Sequence, residues 1–316
     1  MTNHADGNRW TYRAYGLTIA SQLALPELVP ERLPVALDGP SGNAGPADVT
    51  IAQAPISRSG LPDGTQISPF AWVHEDTFWL EVPGVARFIV ADGCRILFDP
   101  EPESDDASVR VFLLGSVLGA LLFQRGLLLL HGNAIEVNGR CLVCLGPSGA
   151  GKSTLAAGLL QRGYRILADD VVPIDANCNA VPGFPRLKLW QDAASKLDMD
   201  TGGLDRVRPE LNKFNLMIAD RFCDTPLPVR WVYILSADPR GTFEVTPISG
   251  MKRFQPLRAN TYRRRFMEGM ALRPDHLARC GALASRIHLA RVTRPRGGFE
   301  IDRLVDTLLA DIEKAG

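Results

Sequence analysis

The sequence predicts an α/β fold in which a β-rich region precedes a sheet-and-helix core. In the first 105 residues, short apolar segments alternate with Pro, Gly, Asp and Asn, which is typical of strands joined by turns. From residue 108 onward, apolar segments of helix length and of strand length alternate. A glycine-rich stretch at residues 146–154 lies between a strand-length apolar run and a helix-length run, as expected inside an α/β sheet.

The size and composition of the chain limit its class. Its 316 residues are enough for two domains with buried cores, and 46% hydrophobic with 22% charged residues is a globular composition. Lys plus Arg and Asp plus Glu both total 35, which removes the global electrostatic argument for nucleic acid or an anionic membrane. We therefore expect no nucleic acid and no membrane as a partner. Six cysteines and no recognisable secretory signal favour a cytoplasmic location.

The first region is expected to be an accessory unit of strands and loops. The acidic stretch at residues 99–106 predicts a boundary, so residues 1–105 would form the β-rich accessory region and residues 106–316 the second domain. Predicted strands in the accessory region cover residues 15–19, 77–82, 87–90 and 95–98, and the Pro- and Gly-rich residues 33–45 predict a loop.

The second domain should alternate helices and strands. Residues 111–123 are far short of the roughly 20 apolar residues of a membrane span, so residues 108–123 predict a buried core helix. Asn138-Gly139 predicts a tight turn between two strands. The other predicted strands are residues 127–130, 141–145, 164–168, 187–190, 229–235 and 243–247, and the other predicted helices are residues 153–161, 191–197, 260–270 and 301–312.

The glycine-rich stretch is a complete phosphate-binding loop. Its pattern, Gly-x-x-x-x-Gly-Lys-Ser, has the strand before it and the helix after it that the mechanism needs. Glycines let phosphate oxygens approach backbone N–H groups, and the helix N-terminus adds its positive dipole. Lys152 should reach the β- and γ-phosphates of ATP, and Ser153 should ligate Mg²⁺. The predicted nucleotide-binding residues are Gly146, Pro147, Ser148, Gly149, Ala150, Gly151, Lys152, Ser153 and Thr154.

Two adjacent acidic residues, Asp169 and Asp170, follow the predicted strand at residues 164–168. A right-handed strand–helix–strand unit would bring the end of that strand to the edge of the sheet where the loop lies. One carboxylate could accept the proton of an attacking hydroxyl while the other holds the metal; in the alternative, the pair is a solvated turn. His131 ends the run at residues 127–130, and its position is compatible with a structural or a catalytic role.

The order of these elements resembles the catalytic domain of the bacterial HPr serine kinase/phosphorylase family. The likeness covers about residues 108–175 and rests on His131-Gly132, the phosphate loop, and the stretch Gly163-Tyr-Arg-Ile-Leu-Ala-Asp-Asp170. The resemblance implies that Asp169 is the general base for a serine hydroxyl, Asp170 a metal ligand, and His131 a polar neighbour of the transferred phosphate. It also implies ATP and Mg²⁺ as cofactors and, since HPr kinases are oligomers, leaves a homo-oligomer open.

The chain departs from that family after the acidic pair. The glycine-rich acidic stretch of the bifunctional enzymes is not recognisable, and residues 182–190 occupy its place, which disfavours phosphorylase activity and HPr as acceptor. An HPr serine kinase stays an alternative. The chain is more similar to the stand-alone HPr-kinase-like proteins of lasso-peptide biosynthesis, which phosphorylate the C-terminal serine of a precursor peptide. The shared features are Tyr12-Arg-Ala-Tyr-Gly-Leu17, Pro185-Arg-Leu-Lys-Leu-Trp190, Asn260-Thr-Tyr-Arg263 and Arg294-Pro-Arg-Gly-Gly298.

The leading hypothesis is a kinase that acts on a serine of a peptide or protein. Arg186, Lys188 and Arg263 could bind a peptide carboxylate or offset phosphoryl charge, but for any one of them taken alone a solvated surface role is the expectation. A small-molecule kinase is a second hypothesis, but about 145 residues precede the loop, which favours a substrate-recognition region and a larger acceptor. A nucleotide-binding regulatory module is the non-enzyme alternative, and the intact acidic pair disfavours it.

Overall fold

The computed structural model describes residues 10–31, 47–200, 202–204, 206–207, 212–238, 241, 243–297 and 300–315. The loop predicted at residues 33–45 and Gly298 of the arginine-rich motif lie outside the described residues. The chain divides into two compact units. Unit 1 consists of Met1–Arg125 and Arg265–Leu272, and unit 2 of Gly126–Arg264 and Arg273–Gly316.

Unit 1 is built on a nine-stranded sheet with the strand order β3-β1-β2-β4-β9-β8-β7-β6-β5. The strands are β1 (Trp10–Ala14), β2 (Leu17–Ser21), β3 (Val29–Pro30), β4 (Val49–Gln53), β5 (Thr65–Ser68), β6 (Ala71–His74), β7 (Thr77–Val82), β8 (Ala86–Ala91) and β9 (Arg95–Pro100). The predicted β-rich region is therefore confirmed. The strand predicted at residues 15–19 starts two residues too early: β2 begins at Leu17, because Tyr15 and Gly16 have φ angles of 55° and 70° and turn the chain between β1 and β2.

Helix α1 (Asp106–Gln124) follows the sheet and belongs to the same unit. It is long and apolar enough to cross a membrane by length and composition, but 72% of its most apolar window is buried in the protein, as expected for the predicted core helix. Its C-terminal end is fixed to the sheet: Gln124 Oε1 accepts from Gly93 N–H at 3.0 Å, and Arg125 donates to Gly93 O at 2.9 Å. These contacts explain why the division falls after Arg125 and not at the predicted residue 105.

Unit 2 contains a seven-stranded sheet with the order β11-β10-β12-β13-β16-β18-β17, in which β11 also pairs with β16. Its strands are β10 (Leu128–Val137), β11 (Arg140–Leu145), β12 (Ile166–Ile174), β13 (Asn179–Ala180), β16 (Leu227–Asp238), β17 (Glu244–Pro247) and β18 (His288–Pro295), and a separate pair is formed by β14 (Arg186–Trp190) and β15 (Lys213–Met217). The helices of unit 2 are α2 (Lys152–Gln161), α3 (Gln191–Lys196), α4 (Phe254–Ala259), α6 (Arg273–Arg286) and α7 (Ile301–Ala315), whereas α5 (Arg264–Gly269) belongs to unit 1 from Arg265 onward.

The sheet of unit 2 is covered by apolar side chains on both faces. Along β11, Leu142 and Cys144 enter one buried cluster, whereas Val143 and Leu145 enter another. This alternation follows from the two-residue side-chain period of a strand, and it explains why β11 reads as an unbroken apolar run. The first cluster includes residues of α2 and α7, and the second includes residues of α4 and α6. The predicted α/β class is confirmed.

One predicted helix is shorter than expected, and several elements were missed, among them β15 and α4. The helix predicted at residues 260–270 is α5, which begins only at Arg264. The preceding residues instead lie against β10, where Thr261 forms a bridge with Leu130 and Tyr262 N–H donates to Leu129 O at 2.9 Å. Strand β18 and helix α6 were not predicted. The tight turn at Asn138-Gly139 joins β10 to β11, as predicted.

Candidate functional site

The glycine-rich loop leaves the end of β11 and leads into α2, as predicted. Gly146, Gly149 and Gly151 have φ angles of 144°, 79° and 101°, which only glycine adopts without strain. At Gly146 there is also no room for a side chain, because a Cβ would lie 2.7 Å from Leu235 O. The loop thus presents backbone rather than side chains along its inner edge, which is what close approach of phosphate oxygens requires.

The side chain of Lys152 lies across the loop and is held by two backbone carbonyl oxygens of the loop. Its Nζ donates to Gly146 O at 2.8 Å and to Pro147 O at 3.2 Å. Burial lowers the pKa of Lys152, and the negative charges of Asp170 and Asp169 partly oppose that shift. The ammonium group therefore lies between the loop and the acidic pair, where it would meet the phosphate of a bound nucleotide.

The acidic pair lies in the middle of β12, and His131 lies in the middle of β10. The prediction that each ends a strand is wrong, because β10 and β12 form an antiparallel ladder that runs through these residues. The register explains how they meet the loop. Gly132 faces Leu145, the last residue of β11, on one side and Asp170 on the other. Three neighbouring strands therefore bring the start of the loop, the His131-Gly132 pair and the carboxylates together.

Both carboxylate oxygens of Asp169 accept hydrogen bonds. The side-chain amide of Asn133 donates to Oδ1, and the backbone N–H of Lys188 donates to Oδ2 at 2.7 Å. Burial and the neighbouring charge of Asp170 raise the pKa of Asp169, while the hydrogen bond from Lys188 acts in the opposite direction. A carboxylate with a raised pKa is a stronger base than an exposed one, which suits proton abstraction.

Asp170 has the opposite electrostatic character. Burial alone would raise the pKa of Asp170, but Lys188 Nζ, which donates to Oδ2 at 2.9 Å, and the nearby His131 hold that pKa well below its usual range. His131 Nδ1 lies 2.9 Å from the backbone oxygen of Asp170 and 3.4 Å from its Oδ1. Burial lowers the pKa of His131, against the attraction of Asp170. Asp170 is thus an anion over a wide pH range, as a metal ligand should be.

Arg186 and Lys188 are buried in β14, with 6% and 7% of their surface exposed. The expectation of a solvated surface role is wrong for both. Arg186 stacks over the ring of Phe184, and Lys188 forms the ion pair with Asp170 described above. A buried lysine needs such a partner because an isolated buried charge is costly. Lys188 therefore orients the acidic pair.

We expect Lys188→Met to lower the free energy of unfolding by about 3 to 5 kcal/mol near neutral pH, the range for removing one partner of a buried ion pair. Because the folded-state pKa of Asp170 is depressed, the pair stabilises the fold fully above the ordinary pKa of an aspartate, and this stabilisation is lost as the pH falls through the depressed pKa. The cost of the substitution should therefore shrink in acid.

Urea unfolding of the wild type and of Lys188→Met, at neutral pH and at about pH 3, measures this difference. Lys196→Met, at an exposed lysine of α3, is the matched control and should change the stability little. A cost that does not depend on pH would mean that Lys188 acts through packing and not through its charge.

Two cavities within unit 2 include residues of this centre. One, of about 390 Å³, contains the loop, Lys152, Ser153 and both carboxylates. The other, of about 400 Å³, is lined by Gly146, Pro147 and the segment from Ala259 to Arg263. His131 and Asp170 line both, so the cavities meet at these two residues. Of the three basic residues proposed for substrate binding, the structure places only Arg263 in the described lining of either cavity.

The residues at the first cavity fit Mg²⁺. Among the described residues there is no cluster of three or more His, Cys, Asp or Glu side chains, but Mg²⁺ usually takes one or two protein oxygens together with phosphate oxygens and water. Ser153 and Asp170 both line the cavity, as predicted for its ligands. Asn133 also lines it, and its buried Oδ1 has no hydrogen-bond partner in the described part of the chain. That oxygen could accept from a metal-bound water.

Several residues that complete the site were not predicted. Asn133 holds Asp169, and Asn260 joins the loop to β10, since its Oδ1 accepts from Gly146 N–H at 3.1 Å and its backbone oxygen accepts from His131 N–H at 2.8 Å. Arg294 Nε donates to Ala150 O in the loop at 3.1 Å. The residues missed at the first cavity are Asn133, Trp190, Asp192, Ala193 and Lys213. Their distance along the chain from the loop gave no local signal.

A glycine-rich loop with its lysine, a following helix and a buried pair of carboxylates beside them define an α/β protein with a phosphate-loop site. The comparison with protein families is specific for this part of the chain: residues 127–185 match the model of the HPr Serine kinase C-terminal domain. The matched segment contains the loop, His131 and the acidic pair, and the match confirms the resemblance predicted from the sequence.

Three curated relatives are named HPr kinase/phosphorylase, and each matches a short part of this chain. HPr kinase/phosphorylase of Lactobacillus acidophilus is 42% identical over 62 residues, which is 20% of this chain and 19% of the relative. The relative from Caldanaerobacter subterraneus is 49% identical over 45 residues, covering 14% of this chain and 15% of the relative. That from Treponema pallidum is 46% identical over 55 residues, or 17% of each chain. The chain thus matches less than a fifth of the length of these relatives.

A solved structure, the Hpr(Ser) kinase/phosphatase from Coxiella burnetii, aligns with 59% of this chain and 90% of its own. The sequence identity is 13% and the TM-score is 0.28, so nothing further is drawn from this likeness.

Proposed function

We propose that the chain is an ATP- and Mg²⁺-dependent kinase that transfers the γ-phosphoryl group to a serine hydroxyl of a peptide or protein. The observation that carries this proposal is the strand register in which Leu145, Gly132 and Asp170 lie side by side. It brings the phosphate-binding loop and the buried carboxylates to one cavity. This is the arrangement needed for in-line transfer, where positioning and charge stabilisation supply most of the catalysis.

The proposed reaction assigns a different role to each carboxylate. Asp169 accepts the hydroxyl proton as the serine oxygen attacks the γ-phosphorus, the bond from that phosphorus to the bridging oxygen of ADP breaks, and ADP leaves with the electron pair. Asp170, which stays anionic, and Ser153 would hold Mg²⁺, which neutralises charge on the phosphates when bound. Lys152 offsets charge on the transferred group, and His131 is its polar neighbour.

The second cavity is the proposed entry for the acceptor, because it meets the first cavity at His131 and Asp170. It contains Arg263, whose guanidinium carbon lies 5.9 Å from the centre of the Tyr262 ring. A serine at the C-terminus of a peptide carries its carboxylate two bonds from the carbon that bears the hydroxyl. A cationic side chain in the cavity that also contains His131 and Asp170 therefore suits such an acceptor, which supports the terminal serine of a lasso precursor peptide as the substrate.

The comparisons favour one alternative acceptor. The relatives are named for HPr, so HPr with its serine is the second candidate substrate. Intact-mass spectrometry of HPr and of a serine-ended lasso precursor peptide, each incubated with the protein, ATP and Mg²⁺, separates the two. We expect one phosphate on the terminal serine of the peptide. Phosphate on HPr alone would replace the peptide by HPr, and no phosphate on either would remove both acceptors.

The role of Arg263 has its own readout. Arg263→Gln should raise the KM for the peptide about 10- to 100-fold, the range for a lost charge-assisted hydrogen bond, with a smaller effect on a peptide whose C-terminus is amidated. Arg264→Gln, at the next exposed arginine, is the matched control and should leave the KM unchanged. Equal effects of Arg263→Gln on the free and amidated peptides would show that Arg263 does not bind the carboxylate.

A further inference from the structure

A third cavity adjoins the phosphate-binding loop and has no part in the chemistry described above. Its volume is about 200 Å³, and it shares Gly149, Gly151 and Thr154 with the cavity that holds the acidic pair. Neither His131 nor either of the two carboxylates is in its described lining. The cavity therefore continues the phosphate-binding cleft away from the reacting centre.

The lining of this cavity is apolar on one side and charged at its rim. The apolar side consists of Phe243, Ile301 and Leu304, and all three pack with the buried cluster of α2 and α7. Charged residues at the rim include Lys196 and Glu300. An apolar cavity that contains an aromatic ring suits a flat heterocyclic ring, and a few polar groups at its edge suit hydroxyl groups attached to that heterocycle.

Arg294 connects this cavity to the loop. Its Nε donates to Ala150 O at 3.1 Å, and a Cβ placed on Gly151 would lie only 3.5 Å from that nitrogen. The guanidinium group thus lies directly over the turn where the loop enters α2. A ligand that extended from the loop into the cavity would pass this positive charge.

The direction of a bound nucleotide follows from these positions. Lys152 and the carboxylates mark the end of the cleft at which the γ-phosphate reacts, so the rest of the triphosphate must continue along the loop toward Thr154. We infer that the third cavity binds the adenine base and ribose of ATP, with Phe243 against the base and Arg294 between the sugar and the loop. The assignment rests on the proposed use of ATP by the same site.

Titration calorimetry in the presence of Mg²⁺, with ATP and with inorganic tripolyphosphate as ligands, tests the assignment. Tripolyphosphate has the phosphates without the nucleoside, so we expect the wild type to bind it more weakly than ATP. Phe243→Ala should weaken ATP binding about ten-fold or more, the range for losing a stacked base, and leave the tripolyphosphate affinity within about two-fold. Retained tripolyphosphate binding also shows that the variant is folded.

Val245→Ala is the matched control, since Val245 packs with the same cluster from β17 but does not line the cavity. Phe243→Leu, which keeps an apolar side chain and removes the ring, is the second variant should Phe243→Ala fail to fold. An equal loss of affinity for both ligands, or an unchanged affinity for ATP, would overturn the base site while leaving the proposed kinase intact. A wild type that binds neither ligand would overturn both.

Discussion

The variant Asp169→Asn is expected to bind ATP almost normally and to turn over about two to four orders of magnitude more slowly than the wild type, the range for losing a general base. The substitution preserves the size of the side chain, and Asp169 does not belong to the phosphate-binding loop. What it removes is the buried carboxylate that would take the hydroxyl proton. The measurement is steady-state turnover on the acceptor identified by mass spectrometry, together with calorimetric ATP affinity.

The pH dependence gives this variant a second readout. A base must be ionised to act, so the wild-type rate should fall as the pH drops through the pKa of Asp169, which burial has raised. The residual rate of Asp169→Asn should lack this acidic limb. Asp220→Asn, at an exposed aspartate, is the control and should match the wild type. Undiminished turnover in Asp169→Asn would remove this residue from the mechanism.

The variant Lys152→Ala is expected to lose both nucleotide affinity and turnover. Its ammonium group donates to the carbonyl oxygens of Gly146 and Pro147 in the loop. Removing a positioned charge that stabilises developing negative charge costs on the order of 10²- to 10³-fold in rate, and the lost phosphate contact should also weaken ATP and tripolyphosphate binding.

Calorimetry with both ligands and turnover on the same acceptor measure this prediction. Lys252→Ala, at an exposed lysine, is the control for loss of a positive charge and should behave as the wild type. The two variants also separate the roles of the two residues, because Asp169→Asn should spare binding and Lys152→Ala should not. Normal binding of ATP and tripolyphosphate together with normal turnover in Lys152→Ala would contradict the assignment of residues 146–154 as a phosphate-binding loop.

Local chemistry explains why the phosphate-binding loop could be predicted so closely. Its glycines need the positive φ angles that the structure shows, and the following helix begins at the lysine of the motif, so sequence and conformation are linked within nine residues. The Asn138-Gly139 turn is a similar case. The strand predictions were good where apolar runs were bounded by turns, and poor at Tyr15, where an aromatic residue occupies the turn itself.

The sequence by itself determined the α/β class, the phosphate-binding loop and the resemblance of residues 127–185 to the HPr Serine kinase C-terminal domain, because these depend on apolar periodicity and on motifs whose parts lie close along the chain. Only the tertiary structure decided how the carboxylates are held. The register of β10 between β11 and β12 sets Asp170 opposite Gly132, and β14 brings Lys188 to both acids. A lysine in a sequence predicts an exposed side chain, and only its distance to an aspartate through space shows that its burial is compensated.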